Sequence, residues 1–148
     1  MVNIEIIEKL REVTGAGIMT CKKAIEETAG NFEKAVALIK KQNLIKVAEK
    51  ASRSTGAGYL KTFIHNNRVG VLLEIRCETD FVVRSDVFKE LAHNLVMQIA
   101  AMDPADIDSL LSQPYIKNEL ITVDDLIKET IARVKENIRV ERFCRYEI

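Results

Sequence analysis

The chain has 148 residues, of which 47% are hydrophobic and 30% charged, as expected of a globular protein. Its 22 basic and 22 acidic residues give a formal net charge of zero, which argues against general binding to nucleic acid or to an acidic membrane. No apolar run approaches the roughly 18 residues that a membrane span needs. The N-terminal residues lack signal or transit character, so we expect a cytoplasmic protein.

Three short helices are predicted in residues 1–41. Asn3 suits the N-cap of the first helix, and the stretch TGAG, Thr14–Gly17, suits a tight turn after it. The second helix should cover Met19–Thr28 and the third Phe32–Lys41, with Gly30 at the C′ position of the second and Asn31 capping the third. The apolar positions at helical spacing are Ile6, Ile7, Leu10, Val13, Cys21, Ala24, Ile25, Phe32, Val36 and Ile39.

Residues 42–57 are predicted to be a linker, first helical and then polar. Helical spacing continues from Gln42 to Ser52, and SRSTGAG, Ser52–Gly58, is polar and glycine-containing without a periodic pattern. The apolar period then changes from 3.6 to 2, which predicts a β-hairpin with a two-residue turn at Asn66-Asn67 and a return strand that ends near Cys77.

The remaining elements in residues 58–148 are predicted to be two helices and a last strand. Ser85 should cap a helix with a broad apolar face, and Met102–Pro114 should be a connector with at most one turn of helix. Thr122 or Asp124 should begin a helix that ends at Glu136. The alternation of Ile138, Val140, Arg142, Cys144 and Tyr146 with their neighbours predicts a strand, and the element order predicts an α+β fold with an antiparallel sheet covered by helices.

Few residues suit enzyme chemistry. The sequence contains no phosphate-binding glycine motif, and His65 and His93 lie on different predicted elements, where we expect both to be at the surface. Glu74, Glu78 and Asp80 would share one face of a strand, so a carboxylate or Mg²⁺ site is conceivable. The three cysteines, Cys21, Cys77 and Cys144, form no CxxC pair, and neither a disulfide framework nor a zinc site is expected.

The stretch CETDFVVRSD, Cys77–Asp86, places an acid directly before an aromatic residue at the end of a strand. In one interpretation Phe81 folds back into the core while Asp80 caps a turn. In the other, Phe81 protrudes and enters a pocket of a partner protein, where a buried aromatic anchor contributes about 2–4 kcal/mol to binding.

Two segments resemble the signatures of elongation factor Ts from bacteria and organelles. These are KLREVTGAGIMTCKKAI, Lys9–Ile25, and EIRCETDFVVRSDVF, Glu74–Phe88; the segment VERFCRYEI, Val140–Ile148, is also similar. The resemblance covers nearly the whole chain, and the two motifs occur in the expected order and separation. It implies a UBA-like N-terminal bundle in residues 1–41 and an α+β core domain in residues 58–148.

The resemblance implies a guanine nucleotide exchange factor for the translational GTPase elongation factor Tu. The turn-forming group Thr79, Asp80, Phe81 and Val82 would then disturb the Mg²⁺ and phosphate region of the GTPase. A second contact region matches Ile18, Met19, Lys22 and Lys23. Such a factor needs no catalytic residue, cofactor or metal of its own and no direct contact with nucleic acid, so we expect a protein that is not an enzyme.

The chain is short for this family and resembles its compact members with a single core. Those members pair two chains, so the resemblance implies a homodimer that contacts itself through the last strand, where Cys144 lies. Two other functions stay open: a helical interaction module without exchange activity, for which Phe81 would be dispensable, and a metal-dependent enzyme that uses Glu78 and Asp80.

Overall fold

A computed structural model describes residues 3–148, which form two units. The first unit ends at Glu49 and the second comprises Lys50–Ile148. The two residues that precede Asn3 belong to the predicted bundle but lie outside the described residues. No helix in the described part of the chain is long and apolar enough to cross a membrane.

The first unit contains helices α1 (Ile4–Thr14) and α2 (Ile18–Glu27) and all but the last residue of α3 (Phe32–Lys50). Its core is formed by six buried residues: Leu10, Cys21, Ala24, Ile25, Ala35 and Ile39. Asn3 caps α1 through a hydrogen bond from the Glu5 amide, and Asn31 accepts one from Lys34, as predicted. Gly15 ends α1 with a φ of 68°, a conformation that glycine adopts without strain.

Several boundaries in this unit differ from the prediction. Helix α2 begins and ends one residue earlier than the predicted Met19–Thr28. Helix α3 continues to Lys50, so the helical part of the predicted linker belongs to α3. The C′ residue of α2 is Ala29, not Gly30. Ala29 donates to Glu26 at 3.2 Å and Gly30 to Ile25 at 2.9 Å, the hydrogen-bond pattern of a Schellman motif.

The second unit contains a three-stranded antiparallel sheet in the order β1 (Ala57–His65), β2 (Val69–Cys77), β5 (Ile138–Glu147). One face is buried against α5 (Asp86–Met102), with Leu73, Ile75 and Phe88 fully inaccessible to solvent. Asn66 and Asn67 both take positive φ, as predicted for the hairpin turn, but His65 pairs with Val69, so three residues connect the strands instead of two.

The segment between α5 and β5 has more structure than a connector. It forms α6 (Ile107–Ser112), β3 (Pro114–Tyr115), β4 (Asn118–Thr122) and α7 (Val123–Val134), and β3 pairs with β4. Thr122, not Asp124, caps α7 in a capping box with Asp125, and α7 ends two residues before the predicted Glu136. The hairpin is attached to α5 by the buried Gln98, which accepts from the Ile116 amide and donates to the Pro114 carbonyl.

Strand β5 does not keep the predicted alternation. The register shifts between Glu74 and Ile75, which pair with Arg142 and Val140, so Glu141 is an extra residue in β5. Ile138 and Val140 are therefore buried, whereas Arg142, Cys144 and Tyr146 lie on the opposite, exposed face of the sheet. An alternation rule cannot predict this change of face, because a one-residue bulge reverses every side chain beyond it.

Candidate functional site: the Asp80-Phe81 turn

The chain turns sharply between β2 and α5, and the turn displays an aromatic side chain to solvent. After Cys77, residues Asp80–Val83 form a single turn of helix, α4. Val82 is 5% exposed and Phe81 is 84% exposed, so adjacent apolar residues point in opposite directions. The interpretation that Phe81 folds back into the core is therefore wrong, and the buried residue of the motif is Val82.

Thr79 begins α4 and fixes its direction. Its side chain is the N-cap that accepts from the Val82 amide at 3.5 Å, and its carbonyl accepts from the Val83 amide at 3.3 Å. Asp80 then lies exposed in the first turn, where a carboxylate is favoured by the positive end of the helix dipole. The motif therefore combines a capping residue, a free carboxylate, a free aromatic ring and a buried anchor.

Two carboxylates connect this turn to the segment that follows α7, and we call their contacts the clasp. Glu136 accepts from both the amide and the hydroxyl of Thr79, at 2.9 and 2.7 Å. Glu78 accepts from the Asn137 amide at 2.8 Å. Each segment thus donates a backbone amide to a carboxylate of the other: Thr79 to Glu136, and Asn137 to Glu78. The partners are 57 and 59 residues apart in sequence.

Cys77 closes the base of the turn. Its fully buried thiol donates to the Thr79 carbonyl at 3.3 Å. Burial, with a further contribution from the negative charge of Glu136, raises the pKa of the Cys77 thiol to about 11. The thiol is therefore protonated at neutral pH and acts as a hydrogen-bond donor, not as a nucleophile.

The second predicted contact region lies at the start of α2 in the first unit. Ile18 and Met19 are 55% and 64% exposed, and Lys22 and Lys23 are exposed one turn later. All four lie opposite the buried face formed by Cys21, Ala24 and Ile25. The structure therefore leaves these two apolar and two basic side chains accessible on one side of one helix.

Cys144 lies on the exposed face of the three-stranded sheet, which we call the outer face. Three rows of paired residues cross this face from β1 through β2 to β5: Leu60, Glu74 and Arg142; Thr62, Leu72 and Cys144; and Ile64, Gly70 and Tyr146. Leu60, Ile64 and Tyr146 are 62%, 63% and 77% exposed, and Leu72 is 42% exposed. The outer face thus presents four apolar side chains without a covering layer in its own unit.

The three carboxylates that could have formed a metal site do not converge. Glu74 pairs with Arg142 and Arg76, whose guanidinium groups hold the pKa of its carboxyl below its usual range. Glu78 belongs to the clasp, and Asp80 begins α4. Among residues 3–148, no three histidine, cysteine or acidic side chains are arranged to bind a metal ion. His65 and His93 both lie at the surface, and the centroid of each imidazole ring is 6.2 Å from that of the Phe63 ring.

Sequence reasoning missed Glu136 and Asn137. The helical pattern predicts only that Glu136 ends a helix, and it predicts no role for Asn137, although both residues lie within the site through contacts distant in sequence. The only local signal is a polar pair between the end of an amphipathic helix and an apolar strand, which is also typical of an ordinary loop.

Comparisons with known proteins agree with the two sequence signatures. A family profile described as Elongation factor TS matches residues 78–148. Elongation factor Ts of Thermotoga petrophila is 41% identical over 191 aligned positions, which cover 99% of this chain and 96% of the relative. That alignment is longer than this chain, so the relative contains residues without a counterpart here.

Two further relatives come from a cyanobacterium and a chloroplast. Elongation factor Ts of Nostoc sp. is 43% identical over 148 positions, covering 99% of this chain and 47% of the relative. The chloroplastic elongation factor Ts of Cyanidioschyzon merolae is 39% identical, covering 96% of this chain and 91% of the relative. With identities of this size along nearly its whole length, the chain belongs to the elongation factor Ts family and so to the proteins of translation elongation.

Proposed function

We propose that this protein is a guanine nucleotide exchange factor for elongation factor Tu and that Phe81 is its principal contact. The observation that carries the proposal is the 84% exposure of Phe81 on a turn that is capped by Thr79 and held by the clasp. An aromatic side chain on a fixed backbone can enter an apolar crevice with less loss of conformational entropy than one on a mobile loop. Asp80 beside it brings a negative charge to the same place.

The proposed mechanism is displacement, without a covalent step. Phe81 would wedge into the GTPase near its nucleotide, and Asp80 would compete with the phosphate groups for Mg²⁺ and for nearby hydrogen-bond donors. Because the factor binds the nucleotide-free GTPase more tightly than the GDP complex, linkage requires that it weaken GDP binding by the same factor. This role needs no general acid, base or nucleophile, and we do not propose an enzyme.

The exposed side chains of α2 are proposed as a second contact. Ile18 and Met19 would supply apolar area, and Lys22 and Lys23 would attract an acidic surface of the GTPase. Lys22 lies 4.0 Å from Glu26 in an exposed pair, which is weak enough to exchange for a partner carboxylate.

We also propose a homodimer that forms through the outer face and contains Cys144. The four exposed apolar side chains of that face support it, because a self-complementary apolar patch is what a two-fold interface requires.

We propose a cytoplasmic location. We also propose that the protein does not bind nucleic acid directly, in agreement with its formal net charge of zero.

The test is stopped-flow release of a fluorescent GDP from bacterial elongation factor Tu. We expect the wild-type protein to accelerate release strongly and both Phe81→Ala and Asp80→Ala to reduce that acceleration by at least about tenfold, the size of one anchor contact. Leu120→Ala is the matched control, because Leu120 is also an exposed apolar residue, at 95%, but lies on β4. If the folded wild-type protein gave no acceleration, the interaction module without exchange activity would become the better proposal.

A further inference from the structure

We infer that Glu136 is a positioning residue for nucleotide exchange, which holds Phe81 in its exposed orientation by binding Thr79. The inference rests on the proposed exchange function and extends it to a residue outside the motif that carries the turn. Glu136 does not belong to α4 or to β2; it lies two residues after the end of α7. Its two carboxylate oxygens accept from the two polar hydrogens of Thr79 at 2.9 and 2.7 Å.

Helix α4 is too short to hold its own shape. It has four residues, and an isolated helical turn is unfavourable in water because several backbone angles are fixed for each hydrogen bond gained. The cap bond from Val82 to the Thr79 hydroxyl is long, at 3.5 Å. Contacts with the rest of the unit must therefore keep the turn in place, and Glu136 supplies two short ones, at 2.9 and 2.7 Å.

The hydroxyl of Thr79 has two roles that depend on each other. It donates to Glu136 at 2.7 Å and accepts from the Val82 amide. Donation to a carboxylate fixes the rotamer of Thr79 and leaves its oxygen lone pairs directed at the helix end. Without Glu136, the hydroxyl would donate to water instead, its rotamer would no longer be fixed, and the cap that orients Phe81 would be weakened.

The position of Glu136 is itself fixed from both sides. On one side, Lys135 ends α7 with a φ of 61°, and its amide donates to Ile131. On the other side, the amide of Asn137 donates to Glu78, and its side chain donates to the Arg53 carbonyl at 3.0 Å. A carboxylate held at both neighbours can order a turn at less entropic cost than a free side chain could.

The first measurement uses the free protein, so that it does not depend on exchange activity. In Glu136→Ala we expect the Thr79 amide to exchange with deuterium about tenfold faster or more, and ¹⁵N relaxation to report increased motion of Phe81. Glu136→Gln keeps one acceptor oxygen, so its Thr79 amide should exchange at a rate between those of wild type and Glu136→Ala. Glu129→Ala is the matched control, because Glu129 is an exposed carboxylate on α7 without a hydrogen bond or ion pair to the described residues.

The second measurement is GDP release with Glu136→Ala, Phe81→Ala and the double variant. If Glu136 acts through Phe81, Glu136→Ala slows GDP release severalfold when Phe81 is present. In the Phe81→Ala background, adding Glu136→Ala then has no further effect. Additive effects would overturn the inference, since they would mean that Glu136 acts on its own. An unchanged Thr79 amide in Glu136→Ala would also overturn it.

The two proposals fail in different ways. If wild type does not accelerate GDP release, the exchange function is wrong, and the inference, which names a role in exchange, fails with it even if Glu136→Ala mobilises the turn. If wild type accelerates release and Glu136→Ala does so equally well, only the positioning role is wrong.

Discussion

Ala29 adopts a backbone conformation that alanine disfavours. Its φ of 51° lies in the left-handed region, where the Cβ atom approaches the carbonyl oxygen at a cost of about 1–2 kcal/mol. The Schellman motif at the end of α2 requires this conformation at Ala29, although a glycine follows directly at position 30. The α2–α3 turn therefore contains strain that a single substitution can remove.

Ala29→Gly should stabilise the protein. We expect the free energy of unfolding to rise by about 0.5–1 kcal/mol, since the relief of strain exceeds the added entropy of glycine in the unfolded chain. Urea unfolding followed by circular dichroism measures this change. Ala37→Gly, at an exposed position inside α3, is the control and should lower stability by about 1 kcal/mol; equal effects from the two substitutions would contradict the assignment of strain to Ala29.

The three thiols should differ strongly in reactivity. Cys144 is exposed on β5, whereas Cys21 and Cys77 are buried, and burial raises the pKa of both buried thiols. At pH 8, and with the folded protein diluted enough to be monomeric, we expect a maleimide reagent to modify Cys144 alone, and in urea all three cysteines, as mass spectrometry of peptides would show. Modification of folded Cys77 at the rate of Cys144 would be incompatible with the closed base of the turn.

Stability should also fall at alkaline pH because of Cys77. A pKa raised to about 11 in the folded state means that the unfolded chain loses this proton first, near the ordinary thiol value of about 8.5. The stability that the protonated Cys77 thiol contributes is therefore fully present below the thiol pKa of the unfolded chain. It is lost as the pH rises toward 11. Cys77→Ala should remove this part of the alkaline decrease, which unfolding curves at pH 7, 9 and 10 would reveal.

Among the elements, those with strong local signals were predicted well. The buried faces of α2 and α5 follow helical spacing, and Asn3, Asn31 and Ser85 cap the helices they precede. The β3–β4 hairpin was not predicted, because its strands are too short for an alternation pattern and it is held by Gln98 of α5. The clasp could not be predicted from local patterns either, because each of its hydrogen bonds joins segments distant in sequence.

The capping box of α7 gives an element-scale prediction. Thr122 accepts from the Asp125 amide at 3.1 Å, and Asp125 accepts from the Thr122 amide at 2.9 Å. Thr122→Ala should lower the free energy of unfolding by about 1 kcal/mol, and Thr122→Ser, which keeps the hydroxyl, should change it by only a few tenths. Urea midpoints of the three proteins decide this; an equal loss in both variants would mean that the methyl group and not the cap matters.

At the scale of the whole molecule, the proposed homodimer depends on the outer face. Leu72 lies in its central row, between Thr62 on β1 and Cys144 on β5. In the proposed two-fold dimer, a charge placed in this row would lie in an apolar interface, and the partner chain would bring a second like charge into the same interface. The cost of burying unpaired charges exceeds what four apolar side chains can supply, at about 25 cal/mol for each Å² buried.

We therefore expect sedimentation velocity at tens of micromolar to show a dimer for wild type and a monomer for Leu72→Asp. Leu120→Asp introduces the same charge at a 95% exposed residue on β4 and should remain a dimer. Cys144→Ser should also remain a dimer, because the apolar side chains and not the thiol would provide most of the interface energy. A wild-type monomer, or a Leu72→Asp dimer, would mean that the outer face does not join two copies of this chain.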